Sequence, residues 1–413
     1  MENNYTRIKK SLAHAPTAIE PMAHKEYFAP LQEQMTAAAT KIRKAVDEGR
    51  RIIIKHHNDT DGFCSGLALE KAIAPLITMV NDRPQALSEK LKRMPSPTPF
   101  YNIEDATKDI ALILSLKEKF NEKTPLFILT DLGSGPENIL PIKKLQVFGC
   151  EVIIVDHHPV DEVVDSLVPC HINPLKWDKN AFCAGGLCAE LARLINNNVR
   201  NMDIFTAVAC KGDRVDEEMA RPYFDLVAKR EMDENFIFGI AKVMDFESFN
   251  LRNMDGKSLF GVLLGDSPKQ QRALVELLET ELTRRTEAIK SQAMELLEIK
   301  EFEKTTLVRL PISDLSVRDG YPRLGTIASI IKDDLVAKQE KPLVLVGTTP
   351  NSMTFRAHDE AGFEFPALLE IVKKEVPKSF AEGGGHKLAG TFRFAQKHFD
   401  AVFEVTKNYV RSL

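Results

Sequence analysis

Three short apolar runs, each ending in acids or imidazoles, constrain this chain more than anything else in it. They are "RIIIKHHNDTDG" from residue 51, "TPLFILTDLGSG" from 124 and "CEVIIVDHHPV" from 150. Runs rich in Ile, Val, Leu and Phe and only a few residues long read as buried strands. Helical patterns lie between and after them, among them "GFCSGLALEKAIAPLI", "GGLCAELARLINN" and "NMDIFTAVACKGD". Strands alternating with helices predict a parallel sheet covered on both faces, the α/β class.

In such a sheet, ligands bind outside the carboxyl ends of the strands. Beyond the first run stand His57, Asp59 and Asp61; beyond the second, Asp131; beyond the third, Asp156, His157 and His158. Asp213 follows an apolar helix in "AVACKGDRVD". Each piece alone has an ordinary explanation. "DTDG" is a turn signature, with Asp and Gly tolerating positive φ, and a single Asp caps turns and helices. Three separate strands delivering acids and imidazoles to one edge is more than turn chemistry requires. Converging carboxylates repel one another unless they protonate or share cations. Mixed carboxylate and imidazole ligands suit Mn2+, with Mg2+, Co2+ or Zn2+ as alternatives. The ligand count points to two divalent metals, with Asp131, alone on a central strand, as the bridge.

The rest of the chain frames that edge. Of 413 residues, 44% are hydrophobic and 28% charged, the balance of a globular protein with room for two cores. The net charge of −4 argues against a surface coated in base for bulk binding of duplex nucleic acid. Six cysteines without a C-x-x-C pair read as buried, reduced thiols. The first residues show no secretory apolar core, and no stretch reads as a membrane span, so a cytoplasmic location is expected. The sequence divides into an N-terminal helical segment (1–50), the strand-bearing domain (51–230), a helical middle region with a long charge-laced helix (231–305), and a smaller α/β domain (306–413). That last domain carries the β-like runs "TTLVRLPI", "KPLVLVGTTP", "NSMTFRAHD" and "LAGTFRFA". In "EGGGHKLAGTFRF", Gly383, Gly384 and Gly385 leave backbone N–H groups open to a phosphate, and His386 can donate to it.

With "HNDTDG", "TDLGSG", "VDHH", "GDR" and "GGGH" in this order, the sequence resembles the DHH phosphoesterase superfamily, in the group with a DHH-associated C-terminal domain. That group includes RecJ exonucleases, their archaeal RecJ-like relatives, nano-RNases and cyclic-dinucleotide phosphodiesterases. The resemblance covers about 50–230 and 306–413. It implies a manganese-dependent phosphodiesterase whose parallel-sheet domain is joined by the long helix to a substrate-binding domain. It also implies that His57, Asp59 and Asp131 bind one metal and that Asp61, Asp131, His157 and Asp213 surround the other. Asp156 orients or touches the metal centre, and His158 contacts phosphate or supplies a proton. Arg356 matches the family's arginine, which grips a phosphate bidentately. The H-x-D-x-D-G form of the first motif matches the archaeal RecJ-like branch. Lys55 stands where other branches have a histidine, and His56 should face away from His57.

The expected substrates are therefore ends of single-stranded DNA or RNA, or short oligonucleotides. Dinucleotides, cyclic dinucleotides or phosphoadenosine phosphate are the alternative, and a non-catalytic replication scaffold is the third class. A homodimer and a replication or repair protein are the expected macromolecular partners, and no membrane is expected.

Overall fold

The computed structural model describes residues 16, 19–81, 83–96, 98–177, 179, 182–252, 254–315 and 320–413. Most of the first half of the N-terminal segment drawn from the sequence lies outside the described residues. The chain divides into two compact units, Met1–Glu279 and Thr280–Leu413. The segment limits drawn at 50, 230 and 305 do not coincide with that division.

The first unit holds helix α1 (Gln32–Asp47), strand β1 (Ile52–His57), α2 (Thr60–Met79), β2 (Leu91–Ser96), α3 (Ile103–Phe120), β3 (Leu126–Thr130), α4 (Ile139–Val147), β4 (Glu151–Val155), α5 (Glu162–Leu167) and β5 (His171–Ile172). Helices α6 (Ala184–Ile195), α7 (Met202–Gly212), α8 (Glu217–Ala228) and α9 (Glu234–Leu251) follow, and α10 (Pro268–Leu296) crosses the division. The sheet runs β2-β1-β3-β4-β5 with every pair parallel. Two of its strands, β2 and β5, are not expected from the sequence. The run "LKRMPS" places Lys92 and Arg93 side by side, lacks any β-branched residue and contains Pro95, which a sheet edge tolerates. Strand β5 has only two residues, too few for a periodic signal.

Alternation along the strands splits the core. Ile53, Phe127, Leu129 and Ile154 pack against Ile110, Ile142 and Val164 of α3, α4 and α5. Helices α1, α2 and α6 cover the other face. Removing a buried aliphatic side chain such as Ile54, 0% exposed, costs about 2–5 kcal/mol. Helix α2 corrects one expectation. Its length and hydropathy are those of a membrane span, yet 72% of the apolar window is buried, as in the central helix of a globular core.

The second unit is a mixed sheet in the order β10-β11-β9-β8-β7-β6. Its strands are β6 (Glu298–Glu301), β7 (Thr306–Pro311), β8 (Leu343–Thr349), β9 (Ser352–Ala357), β10 (Glu382–His386) and β11 (Ala389–Arg393). Helix α11 (Leu324–Val336) packs on one face through Ile327 and Ile331 against Val308 and Leu345. Helices α12 (Phe365–Glu375) and α13 (Phe399–Ser412) cover the other face around Phe355, Phe365 and Phe392. Residues 298–301, expected at the end of the long helix, form an exposed edge strand instead. Gly383, Gly384 and Gly385 lie within β10, paired antiparallel with β11 at the other edge of the sheet.

Candidate metal centre

Strand order 2-1-3-4-5 places a topological switch between β1 and β3, where successive crossovers leave in opposite directions and open a crevice. The residues after β1 and β3 flank that point. Asp59 caps α2, accepting from Gly62 N at 2.9 Å through Oδ1. Its Oδ2 lies 2.7 Å from His57 Nδ1. The glycine of "DTDG" serves close approach rather than a positive φ. A Cβ at Gly62 would sit 2.1 Å from the His57 carbonyl oxygen. This strand-to-helix junction turns Asp59 back toward the strand end and sends Asp61 inward.

Asp61 is buried, and both its oxygens are held by the N-terminus of α6: Oδ2 by Ala184 N at 2.8 Å and Oδ1 by Gly185 N at 2.7 Å. Asp131 follows the central strand with φ +56°, a left-handed conformation that few non-glycine residues adopt but that Asp tolerates. Its Oδ1 is 3.2 Å from His157 Nε2 and its Oδ2 is 3.6 Å from His57 Nδ1. His157 reaches Asp61 Oδ2 at 3.8 Å and Asp213 Oδ2 at 3.5 Å. Asp213 is the C-cap of α7.

Three overlapping clusters result. His57, Asp59 and Asp131 form one; Asp61, His157 and Asp213 form another; Asp131, Asp156, His157 and His158 form a third. Asp131 and His157 are the shared members. The structure thus brings together every first-unit residue selected from the sequence. His56 faces away, as alternation requires. It is fully buried, its ring edge-on to Phe63, with Nε2 2.8 Å from Arg93 Nη1 and Nδ1 2.7 Å from the His57 carbonyl. Burial and the Arg93 charge keep His56 well below the usual imidazole range. It therefore accepts from Arg93 and donates to His57 O, bracing the strand end.

The electrostatics describe a site short of positive charge. Burial, then the charges of Asp131 and Asp213, hold Asp61 well above the usual carboxylate range. Burial and Asp131 push Asp213 up to about 6, against the opposing pull of His157. Burial pulls His57 and His157 down, but the surrounding carboxylates outweigh it and hold both well above the usual imidazole range. Asp156 is the exception. Burial raises it, and His158 and His157 overcome that, leaving it well below the usual range. Asp131 Oδ2 is buried and accepts no hydrogen bond among the described residues. A crowded carboxylate–imidazole set with such an oxygen at its centre fits hard or borderline divalent ions.

In the second unit, register aligns His386 with Ala389 on β11, and Ala389 with Arg356 on β9. Residues directly opposite share a face, so His386 and Arg356 flank a small alanine, about 10 Å apart across two strand spacings. Arg356 Nε donates to Ser329 Oγ at 2.8 Å and Nη1 to Phe355 O at 2.7 Å, which fixes the guanidinium's orientation. Sequence reasoning passed over the buried partners behind the first unit's site. Lys55 and Asp109 are 2.9 Å apart, with Tyr101 Oη donating to Asp109 at 2.9 Å. Arg93 Nε donates to Glu70 at 2.8 Å. The charges inside "IIIK" and "LKRMP" were the available signal.

Comparison with known proteins agrees with this geometry. The model of the DHH family, N-terminal domain, matches residues 51–220. An uncharacterized protein of Methanocaldococcus jannaschii, MJ1198, is 33% identical over 417 residues, which cover 93% of this chain and 55% of that protein. This chain therefore spans about half the length of that curated relative. The solved structure of the PF0399 DHH domain, described as a member of a family of ribosomal proteins, superposes with a TM-score of 0.92 at 29% identity, covering 98% of this chain and 96% of the other. The exonuclease RecJ bound to manganese superposes with a TM-score of 0.58 at 18% identity, covering 92% and 95%. At that identity the likeness is one of fold.

Proposed function

We propose, from the premise that residues 51–220 form a DHH-family domain, that this protein is a divalent-metal-dependent phosphodiesterase acting on single-stranded nucleic acid ends or short oligonucleotides. The observation that carries the reading is the pair of ligand clusters joined through Asp131 and His157 at the strand-order switch. His57, Asp59 and Asp131 would hold one ion, and Asp61, His157 and Asp213 the other, with Asp131 between them. Mn2+ is preferred on ligand type, with Mg2+ or Co2+ as alternatives. When bound, two such ions supply Lewis-acid stabilisation of phosphoryl oxygens and activation of water at neutral pH.

The chain's own groups then have definite tasks. The amides of Ala184 and Gly185 keep Asp61 aimed into the site. Asp156 accepts from His158 Nδ1 at 2.7 Å, orienting that imidazole to exchange a proton with the departing oxygen. Arg356 and His386 offer donors to a substrate phosphate, as do the outward amides of the glycine-rich edge strand. The second unit's aligned donors favour an anionic, phosphate-terminated substrate.

A direct test compares Mn2+-dependent cleavage of a 5′-labelled single-stranded oligonucleotide of about twenty nucleotides, a dinucleotide and a cyclic dinucleotide, with Asp131→Ala as control. Stepwise shortening of the long strand, lost in the variant, is the expected result. Cleavage of the dinucleotides alone would restrict the substrate to small molecules. Mn2+ binding without cleavage of any of them would remove the substrate class. Absence of metal binding would remove the whole reading.

A further inference from the structure

Phe380 is the one side chain of the glycine-strand hairpin that the fold does not account for. Its ring is 78% exposed, and the backbone beneath it is left-handed, with φ +51°. Bulky residues rarely adopt that conformation, and a position that ends a helical turn in this way ordinarily holds glycine or asparagine. Phe380 closes the short turn Pro377–Ser379, its N–H donating to Pro377 O at 3.3 Å. Glycine would relieve the backbone there, and a polar side chain would suit the water. Neither burial nor local conformation explains an aromatic ring. A residue held in an unfavourable conformation by its surroundings is a candidate for presentation to something else.

The surroundings do hold it. Before it, Ser379 is fully buried, with Oγ donating to Val376 O at 2.6 Å and its carbonyl accepting from Ala395 N at 2.8 Å. After it, Ala381 is 5% exposed and belongs to the core around Phe355 and Phe392. The ring is fixed between two anchored neighbours, two residues ahead of β10. Positive charge gathers around it. Residues 373–398 contain six Lys and Arg against two Glu, in a chain of net charge −4. Lys378, Arg393 and Lys397 among them are exposed. An aromatic ring set among basic side chains has the composition of a single-strand site, where charge follows the phosphates and the ring takes a base.

The sheet also offers a path. Glu382, Gly384 and His386 share a face of the hairpin with their partners Arg393, Thr391 and Ala389. That face is open at Gly384, where a Cβ would meet nothing within 4 Å, and it continues to Arg356 on β9. Glu382 and His386 lie four residues apart on the strand, about 13 Å. That length is roughly two nucleotides of a single strand drawn out to about twice its duplex rise of ~3.4 Å. We propose that Phe380 is a stacking platform for a base of single-stranded nucleic acid, about two to three nucleotides from a phosphate held at His386 and Arg356. The proposal rests on the phosphate contacts of the reading above, and it does not require cleavage.

The test uses the full-length Asp131→Ala protein with Mn2+, so that binding is read without cutting. Its probes are a fluorescent single-stranded 20-mer, a duplex of the same length and a dinucleotide. Phe380→Ala should weaken binding of the single strand about 5- to 150-fold, the usual effect of removing a base-stacking ring. Phe380→Tyr should restore it. Phe380→Gly should weaken it as much as Phe380→Ala while the melting temperature holds or rises, a combination that a merely structural role does not produce. The duplex, whose bases stack on one another, and the dinucleotide, which ends short of the ring, should bind alike with and without Phe380. A folded Phe380→Ala that binds the 20-mer as tightly as its parent would overturn the proposal. Equal loss on the dinucleotide would overturn it too, because the effect would then not depend on reaching the ring. A 20-mer bound through Phe380 but left uncut by the wild type with Mn2+ would keep the platform and remove the phosphodiesterase reading instead.

Discussion

The two sheets of this chain treat polarity in opposite ways. In the first unit, strands buried on both faces end in carboxylates that stay inside: Asp61 is 3% exposed, Asp131 2% and Asp156 0%. In the second, the edge strand Glu382–His386 carries three glycines beside a half-buried His386, with Arg356 on the same face. One arrangement gathers negative charge and needs cations; the other spaces cationic and neutral donors and suits an anion. A parallel sheet with helices on both faces can hold side chains rigidly enough to crowd like charges. A hairpin at the edge of a mixed sheet leaves backbone amides facing outward instead.

Breaking the cation side should produce the largest effect. Asp131→Ala removes the residue shared by two clusters. Ion stabilisation of a phosphoryl transition state is worth several kcal/mol, so kcat/KM should fall about a thousandfold or more. The same variant should not lose stability when stripped of metal, because it relieves repulsion among buried carboxylates. Thermal unfolding in a chelator checks this. A large drop there would mean that Asp131 is structural and not a ligand.

Breaking the anion side should cost less and differ in kind. Arg356→Ala should raise KM about 10- to 100-fold, the value of a charge-assisted hydrogen bond to phosphate, with a smaller change in kcat. Steady-state kinetics separates the two. Loss confined to kcat would move Arg356 from substrate grip to transition-state contact.

The contrast should also appear in the pH dependence of the metal-free protein. Asp61, Asp213, His57 and His157 all bind protons more tightly in the folded state. The two acids contribute stability that is complete below the ordinary carboxylate pKa and is lost as pH climbs through their raised values, for Asp213 about 6. The two imidazoles lose theirs at higher pH, through folded values above the usual one. The melting temperature without metal should therefore fall from about pH 6 to about pH 8, and Mn2+ should cancel the fall. Metal titration at neutral pH should release protons, measurable in weakly buffered solution. A melting temperature rising with pH in chelator would contradict the assigned clusters.

How much of this was written in the sequence follows from the same contrast. The buried strands β1, β3 and β4 announced themselves by short apolar runs, and the acids behind them needed only the rule for parallel sheets. The partners behind the site were hidden because they depend on register. Ser134, His171 and Asn173 meet only when β3, β4 and β5 lie side by side, and β5 has too few residues to show a period. The glycine run reads from the sequence as backbone left open to a phosphate, and that reading does not include a strand. Pairing with residues 389–393 makes it a strand, and nothing local encodes that.

The glycine strand supplies the smallest and most discriminating test. A Cβ at Gly383 would meet Thr391 O at 2.2 Å and Phe392 Cα at 2.5 Å, whereas a Cβ at Gly384 would meet nothing within 4 Å. Gly383→Ala should thus lower the melting temperature by forcing β10 and β11 apart. Gly384→Ala should leave stability within about 0.5 kcal/mol, as for an uncrowded surface position. If a phosphate approaches this strand's backbone, the added methyl at Gly384 stands in its way, and KM should rise with the melting temperature unmoved. An unchanged KM would place the substrate away from β10 and leave Arg356 as the anion contact to be explained alone.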